Sequence, residues 1–145
     1  MNHKYEKLKL PNNIKYHSAK SAEDLYSGFV DIDKRLVKLI KLLWKKGFIT
    51  NGCCEGGHEN LEDHENSDGY ISFSTYTEGK NLFDLVRKAH DFDSDLTWFQ
   101  FHLSPTGGIS FWSEDDNQRA INLIYKYLKS SKVESKLKNM WRVSP

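Results

Sequence analysis

Apolar and polar positions change rhythm several times along this chain, and each change marks an element. Ile32, Leu36, Leu39, Ile40, Leu43 and Trp44 recur at helical spacing with Lys and Arg between them, and Gly47 follows as a C-terminal stop. This spacing predicts a helix over residues 33–46. Residues 48–53 then read as a strand. Tyr70-Ile71-Ser72-Phe73-Ser74 alternates apolar with polar, the pattern of a half-buried strand. Thr77 is placed to cap a helix carrying Leu82, Phe83, Val86 and Ala89. Residues 96–104 read as a second long strand, Pro105-Thr106-Gly107 turns the chain, and residues 108–113 return it. Ser113-Glu114-Asp115-Asp116 has the form of a capping box ahead of a helix that buries Ala120, Ile121, Ile124, Tyr127 and Leu128. At the ends the signal is thinner. Residues 1–20 are polar around Pro11 and read as an extended arm, and Ser21-Ala22-Glu23-Asp24 opens a short helix through Phe29. Val133, Leu137, Met140 and Trp141 set out a final short helix.

The order of elements is helix, strand, strand, helix, strand, strand, helix, and the two halves echo each other. Residues 48–57 end in Gly-Gly, as do residues 99–108, and Ile71-Ser72-Phe73 matches Ile109-Ser110-Phe111. The expected fold is therefore α+β: a duplicated helix–strand–strand unit forming a four-stranded, mainly antiparallel sheet with helices on one face. The expected layout is a single domain of 145 residues, with an arm (1–20), a first repeat (31–75), a second repeat (77–113) and C-terminal helices (114–145).

Composition narrows the class. Aromatic residues at 13% offset a hydrophobic content of only 38%, since Phe, Trp and Tyr bury much area each. No apolar run approaches a membrane span, and residues 1–7 place no apolar stretch behind their charges, so a cytoplasmic protein is expected. Cys53 and Cys54 are adjacent, which seldom allows a disulfide between them, and this fits a reducing compartment. Net charge is +1, but it is unevenly spread. Residues 55–69 hold six acids and no Lys or Arg, while Lys34, Arg35, Lys38, Lys41, Lys45 and Lys46 share one helix and further cations follow Tyr125. These runs read either as solvated helix faces or as an electrostatic footprint for a phosphate ligand.

Strand alternation sorts the candidate site from the core. Phe99, Phe101, Leu103, Ile109, Phe111, Ile71 and Phe73 should face the helices. The opposite face then carries Trp98, Gln100, His102, Ser104, Ser110, Trp112, Tyr70, Ser72 and Ser74, and aligning the halves adds Asn51 and Cys53. Flat rings beside hydroxyl, amide and imidazole groups suit a planar heterocycle. They also suit a homodimer or partner interface, and the face could instead be covered by the chain's own ends. Beside it, Cys53 to His58 forms a turn in which Gly56 and Gly57 either make a simple hairpin or expose N–H groups to an anion such as phosphate. Cys53, Cys54, His58 and His64 are zinc-type ligands at poor spacing, so no metal and no cofactor is expected. Cys53 beside His102 would make an activated thiolate only if the fold brought them together. Single-stranded RNA modules also use sheets with exposed aromatics, but the acidic run and small net charge favour a small ligand.

From Lys45 the chain reads K-K-G-F-I-T-N-G-C-C-E-G-G-H, and Y-I-S-F follows at Tyr70. This stretch, about a fifth of the chain, resembles small uncharacterised bacterial and phage proteins with a C-C-x-G-H-like turn before a Y-I-x-F strand. Gly57, inserted before His58, departs from that pattern. A fainter similarity links the Cys- and Gly-containing turn to the wybutosine-synthesis tRNA-modifying family. The resemblance carries no activity with it. Its phage-like flavour implies a protein that sequesters a nucleotide signal or blocks a host protein. The expected function is thus a nonenzymatic protein binding a nucleotide-like small molecule through Trp98, Gln100, His102, Trp112, Ser110, Asn51, Cys53, Gly56, Gly57, His58, Tyr70 and Ser72. The alternatives are a protein–protein inhibitor or adaptor using the same face, and a Cys/His or metal-dependent enzyme acting on a nucleotide or RNA. The expected partners are that small molecule, a host protein or a second copy of the chain, with no membrane.

Overall fold

Two periods of hydrophobicity, near two residues in some segments and near 3.6 in others, build two layers. The computed structural model describes residues 4–12, 14, 17, 28–57, 67–92, 98–114 and 116–132. Strands β1 (Tyr5–Lys9) and β2 (Phe29–Asp33) lead through a 3-10 turn (Lys34–Leu36) into helix α1 (Val37–Lys45). Then come β3 (Thr50–Cys54), β4 (Gly69–Phe73), α2 (Tyr76–Ala89), β5 (Phe99–Leu103), β6 (Ile109–Ser113) and α3 (Gln118–Ser130). β3 to β6 form an antiparallel sheet in the order β3-β4-β6-β5, and β1 pairs with β2 as a separate antiparallel ribbon. The protein is α+β, as the patterning predicts. Among the described residues no helix is long and apolar enough to cross a membrane.

The helices lie on the sheet face that carries Ile71, Phe73, Phe99, Phe101, Ile109 and Phe111, all nearly or wholly buried. In the α1 region Leu36, Leu39, Ile40 and Leu43 have no exposed surface, and in α3 the same holds for Ala120, Ile124 and Leu128. Leu82 and Val86 make the matching stripe on α2. α3 packs against both α1 and α2, and Phe83 of α2 stacks on Phe101 with centroids 5.6 Å apart. Each fully buried Leu, Ile, Val or Phe among them stabilises the fold by roughly 1.5–3 kcal/mol. Leu8, Val30 and Ile32 extend the same core from the β1–β2 ribbon.

The strand order has the symmetry that a duplicated unit would give. The two hairpins β3–β4 and β5–β6 meet through their second strands, and Ile71 pairs directly with Ile109. These two are each other's counterparts in the repeat, which is what an approximate two-fold axis between the halves requires.

Several local expectations shift. Phe29 to Asp33 form a strand, so the helix expected to run through Phe29 does not reach it, and Ile32 belongs to β2 rather than α1. The alternation of Val30 and Ile32, both fully buried, is the signal of that strand. The polar arm is partly the strand β1. Thr75, not Thr77, caps α2: its side chain accepts the Glu78 N–H, within the sequence Thr-x-x-Glu. α3 begins at Gln118, later than the Ser113 box implies, although Ser113 Oγ does accept the Ala120 N–H at 2.9 Å. The final helix expected from Val133 to Trp141 and the start of the strand expected at 96 lie outside the described residues.

Two buried polar side chains tie these elements together. The fully buried Glu78 accepts the Ile49 N–H and the Ser74 hydroxyl, each at 2.6 Å, so α2 is anchored to the ends of both β3 and β4. Asn117, 2% exposed, donates to Glu55 O and Ser67 O and accepts the Ser113 N–H. It thereby joins the two ends of the acidic segment to the start of α3.

Candidate functional site

The side chains that do not face the helices form the second surface of the sheet. Cys54 pairs with Tyr70, Tyr70 with Ser110, and Ser110 with His102, so one row of side chains crosses all four strands. Trp112 lies two residues along β6 from Ser110 and pairs with Gln100, while Ser72 lies two along β4 from Tyr70 and pairs with Gly52. Tyr70 is 44% exposed, Gln100 and His102 are exposed, and Ser72, Ser110 and Trp112 are half-buried. Tyr70 and Trp112 are diagonal neighbours on adjacent strands, about 7–8 Å apart at the backbone. Two rings, an imidazole, an amide and two hydroxyls therefore share one contiguous patch. Tyr70, Ser72, Gln100, His102, Ser110 and Trp112 are brought together as the alternation predicts.

Cys53 is not among them. It pairs with Ile71, is 8% exposed and lies in the core beneath the helices. The register of β3 slips between Thr50 and Gly52, and a bulge of one residue sends every later side chain to the opposite face. Asn51 is the residue taken up by that slip. It is half-buried, and its amide donates to Phe73 O at 3.4 Å. Cys54 takes the place on the open face that the alignment gave to Cys53. A thiolate paired with His102 is excluded for both cysteines. Cys53 points away, and Cys54 stands three strand spacings from His102, about 14 Å.

Trp98 also leaves the patch. It precedes β5, and its ring turns to the helical layer, where Arg119 of α3 lies 3.7 Å over it and His90 meets it edge-on at 5.7 Å. Phe99 stacks beside it at 5.6 Å. These contacts give it a packing role. Trp98→Ala is expected to lower stability by roughly 1–2 kcal/mol, less than a fully buried Trp would because the ring is only half-buried. Urea unfolding checks this, and an unchanged midpoint would show that the Arg119 and His90 contacts contribute nothing.

Among the described residues of the glycine turn, the N–H groups of Glu55, Gly56 and Gly57 all have partners within the protein. Glu55 N–H donates to Asp33 Oδ2 at 2.7 Å, Gly56 N–H to Cys54 Sγ at 3.4 Å and Gly57 N–H to Ser67 O at 2.9 Å. Gly56 and Gly57 have φ of +73° and +69°, and a Cβ on Gly56 would lie 2.5 Å from both Gly69 N and Ser67 O. Gly56 lies in the mouth of the acidic segment, against Asn117 and Gly69. Buried Glu55 turns its carboxylate to Arg35, at 3.2 Å, and Arg35 also pairs with Asp116. His58 and His64 lie outside the described residues. Neither cysteine forms a disulfide, and among the described residues no group of three His, Cys, Asp or Glu side chains could hold a metal ion.

Compared with models of known protein families, with curated proteins and with solved structures, this chain matches none.

Proposed function

We propose that this chain is a nonenzymatic binding protein that holds a planar, nucleotide-like small molecule on the open face of β4, β6 and β5. The observation that carries this reading is the contiguous patch of Tyr70, Trp112, Gln100, His102, Ser110 and Ser72, set in register by the sheet and turned away from the core. Tyr70 and Trp112 offer ring faces, while Gln100, His102 and the two serines offer donors and acceptors for the edges of a heterocycle. The rigid ladder holds these groups in place before a ligand arrives, which limits the entropy lost on binding. The wide separation of Cys54 from His102 supports binding rather than covalent catalysis. A phosphate on such a ligand would have to find partners other than the N–H groups of Glu55, Gly56 and Gly57, which are already used.

A second reading, a protein–protein inhibitor or adaptor, is favoured by one feature. Tyr70 stands 44% exposed on a sheet surface, as an anchor residue of a flat interface does.

Native mass spectrometry of protein purified from cells separates the two. A co-purifying mass of a few hundred daltons, lost in Trp112→Ala, is the expected result. Removing one stacking ring should weaken binding by about 1–3 kcal/mol, roughly 5- to 150-fold. A small ligand retained at full strength by both Trp112→Ala and Tyr70→Ala would overturn the assignment of the face. A macromolecular complex without any small ligand, broken by Tyr70→Ala, would establish the second reading instead.

A further inference from the structure

The helical layer holds a second surface, on the other side of the sheet and independent of the reading above. Residues 34–46 carry six cations and no acid, and Gln118–Ser130 carries three cations and no acid. α1 and α3 lie side by side, so the fold brings both basic runs to one place. Between them runs a groove of about 620 Å³, whose walls include Lys38, Lys41, Lys45, Lys46, Lys129 and Tyr125. A smaller cleft of about 340 Å³ adjoins it and shares Lys38 and Tyr125, and Lys34 extends the line of cations at its far end. The two form one trough.

We propose that this trough binds the phosphate backbone of a single-stranded nucleic acid. Lys38, Lys41 and Lys45 are spaced by three and four residues on α1, so their ammonium groups form one stripe along about 10 Å of helix, and Lys34 in the 3-10 turn before it lines the adjoining cleft. A single phosphate would fill only part of that stripe, whereas a strand repeats its charge along it. Lys38, Lys41 and Lys45 are exposed and make no ion pair among the described residues, in contrast to Arg35, which Glu55 and Asp116 hold. Like charges three and four residues apart on a helix destabilise it slightly. Nothing in α1 or α3 offsets that repulsion, and an external polyanion would. Tyr125, half-buried in the shared wall with Lys129 Nζ 5.6 Å from its ring centre, favours a single strand over a duplex. Only unpaired bases can leave the stack to meet such a ring.

The test is fluorescence anisotropy of the full chain with a labelled single-stranded RNA of about 12 nucleotides, repeated across a salt series. Three or four neutralised phosphates predict a slope of log affinity against log salt of about −2 to −3. Lys41→Glu with Lys45→Glu should lower affinity at least about tenfold while leaving the melting temperature unchanged, since both side chains are exposed. Lys9→Glu with Lys88→Glu, which makes the same charge change at exposed positions off the trough, should leave affinity nearly unaltered. If the glutamate pair unfolds the protein, Lys41→Gln with Lys45→Gln carries the same comparison. Absence of salt-dependent binding, or equal loss in the two charge-reversed proteins, would overturn the proposal. Equally tight binding to anionic phospholipid vesicles, abolished by the same Lys41 and Lys45 changes, would replace the nucleic acid with a membrane surface.

Discussion

Gly79→Ala is expected to destabilise the protein by about 3 kcal/mol or more, the upper range for overpacking a filled site. A Cβ on Gly79 would lie 1.9 Å from Gly107 O, 2.6 Å from Gly107 C and 2.9 Å from Gly107 Cα. All three are backbone atoms of the tight turn between β5 and β6, so no side chain can swing aside. Gly107 is equally constrained: its φ is +92°, and a Cβ there would meet Thr75 O at 2.6 Å and Tyr76 Cα at 2.7 Å. Nor can α2 retreat, because Glu78, beside Gly79, is held by the Ile49 N–H and the Ser74 hydroxyl. Intrinsic helix propensity acts the other way, favouring Ala by about 1 kcal/mol in an open helix. The two effects differ in sign, so urea unfolding followed by circular dichroism decides between them. A stabilised Gly79→Ala protein would mean that α2 does not touch the β5–β6 turn. Because that hairpin carries Gln100, His102, Ser110 and Trp112, the same variant should also weaken the ligand binding proposed for the sheet face.

Asn117→Ala is expected to cost about 3 kcal/mol, because it removes one partner from each of three hydrogen bonds to backbone groups near the buried end of β6. The side chain donates to Glu55 O at 3.1 Å and Ser67 O at 2.7 Å, and accepts the Ser113 N–H at 3.1 Å. Two carbonyls on one side and one N–H on the other fix which end of the amide is which. Asn117→Asp should therefore be at least as damaging as Ala, since it keeps the acceptor for Ser113 but turns a carboxylate oxygen towards two carbonyls. Chemical denaturation of both variants checks this. If Asp is tolerated better than Ala, the donor role of Asn117 is wrong and its bond to Ser113 dominates. The variants also report on the acidic segment, because Asn117 joins Glu55 and Ser67 near its two ends.

Patterns confined to a few neighbouring residues were legible without the fold. Leu36, Leu39, Ile40 and Leu43 repeat at helical spacing, and all are fully buried in the α1 region. Phe99, Phe101, Ile109 and Phe111 alternate with polar residues, and they separate the core from the open face as expected. Thr75-Tyr76-Thr77-Glu78 was a readable capping sequence, missed because Thr77 also stands near the helix start. The β3 bulge was less accessible. Asn51-Gly52 does not announce that one residue will be taken up there, and that single slip moves Cys53 into the core and Cys54 onto the face. Trp98 sits outside its strand, where alternation no longer governs which way a ring turns.

By itself, then, the sequence determined the α+β class, the helical and strand stripes and most of the open sheet face, because each follows from the period of the backbone. The tertiary structure decided what depends on distant partners. Asn117 meets Glu55 and Ser67, Glu78 meets Ile49, Gly79 meets Gly107, and the lysines of α1 share a groove with Lys129 of α3. Each of these contacts joins residues far apart in the chain. Periodicity is a property of one segment, and it carries no information about which other segment will pack against it.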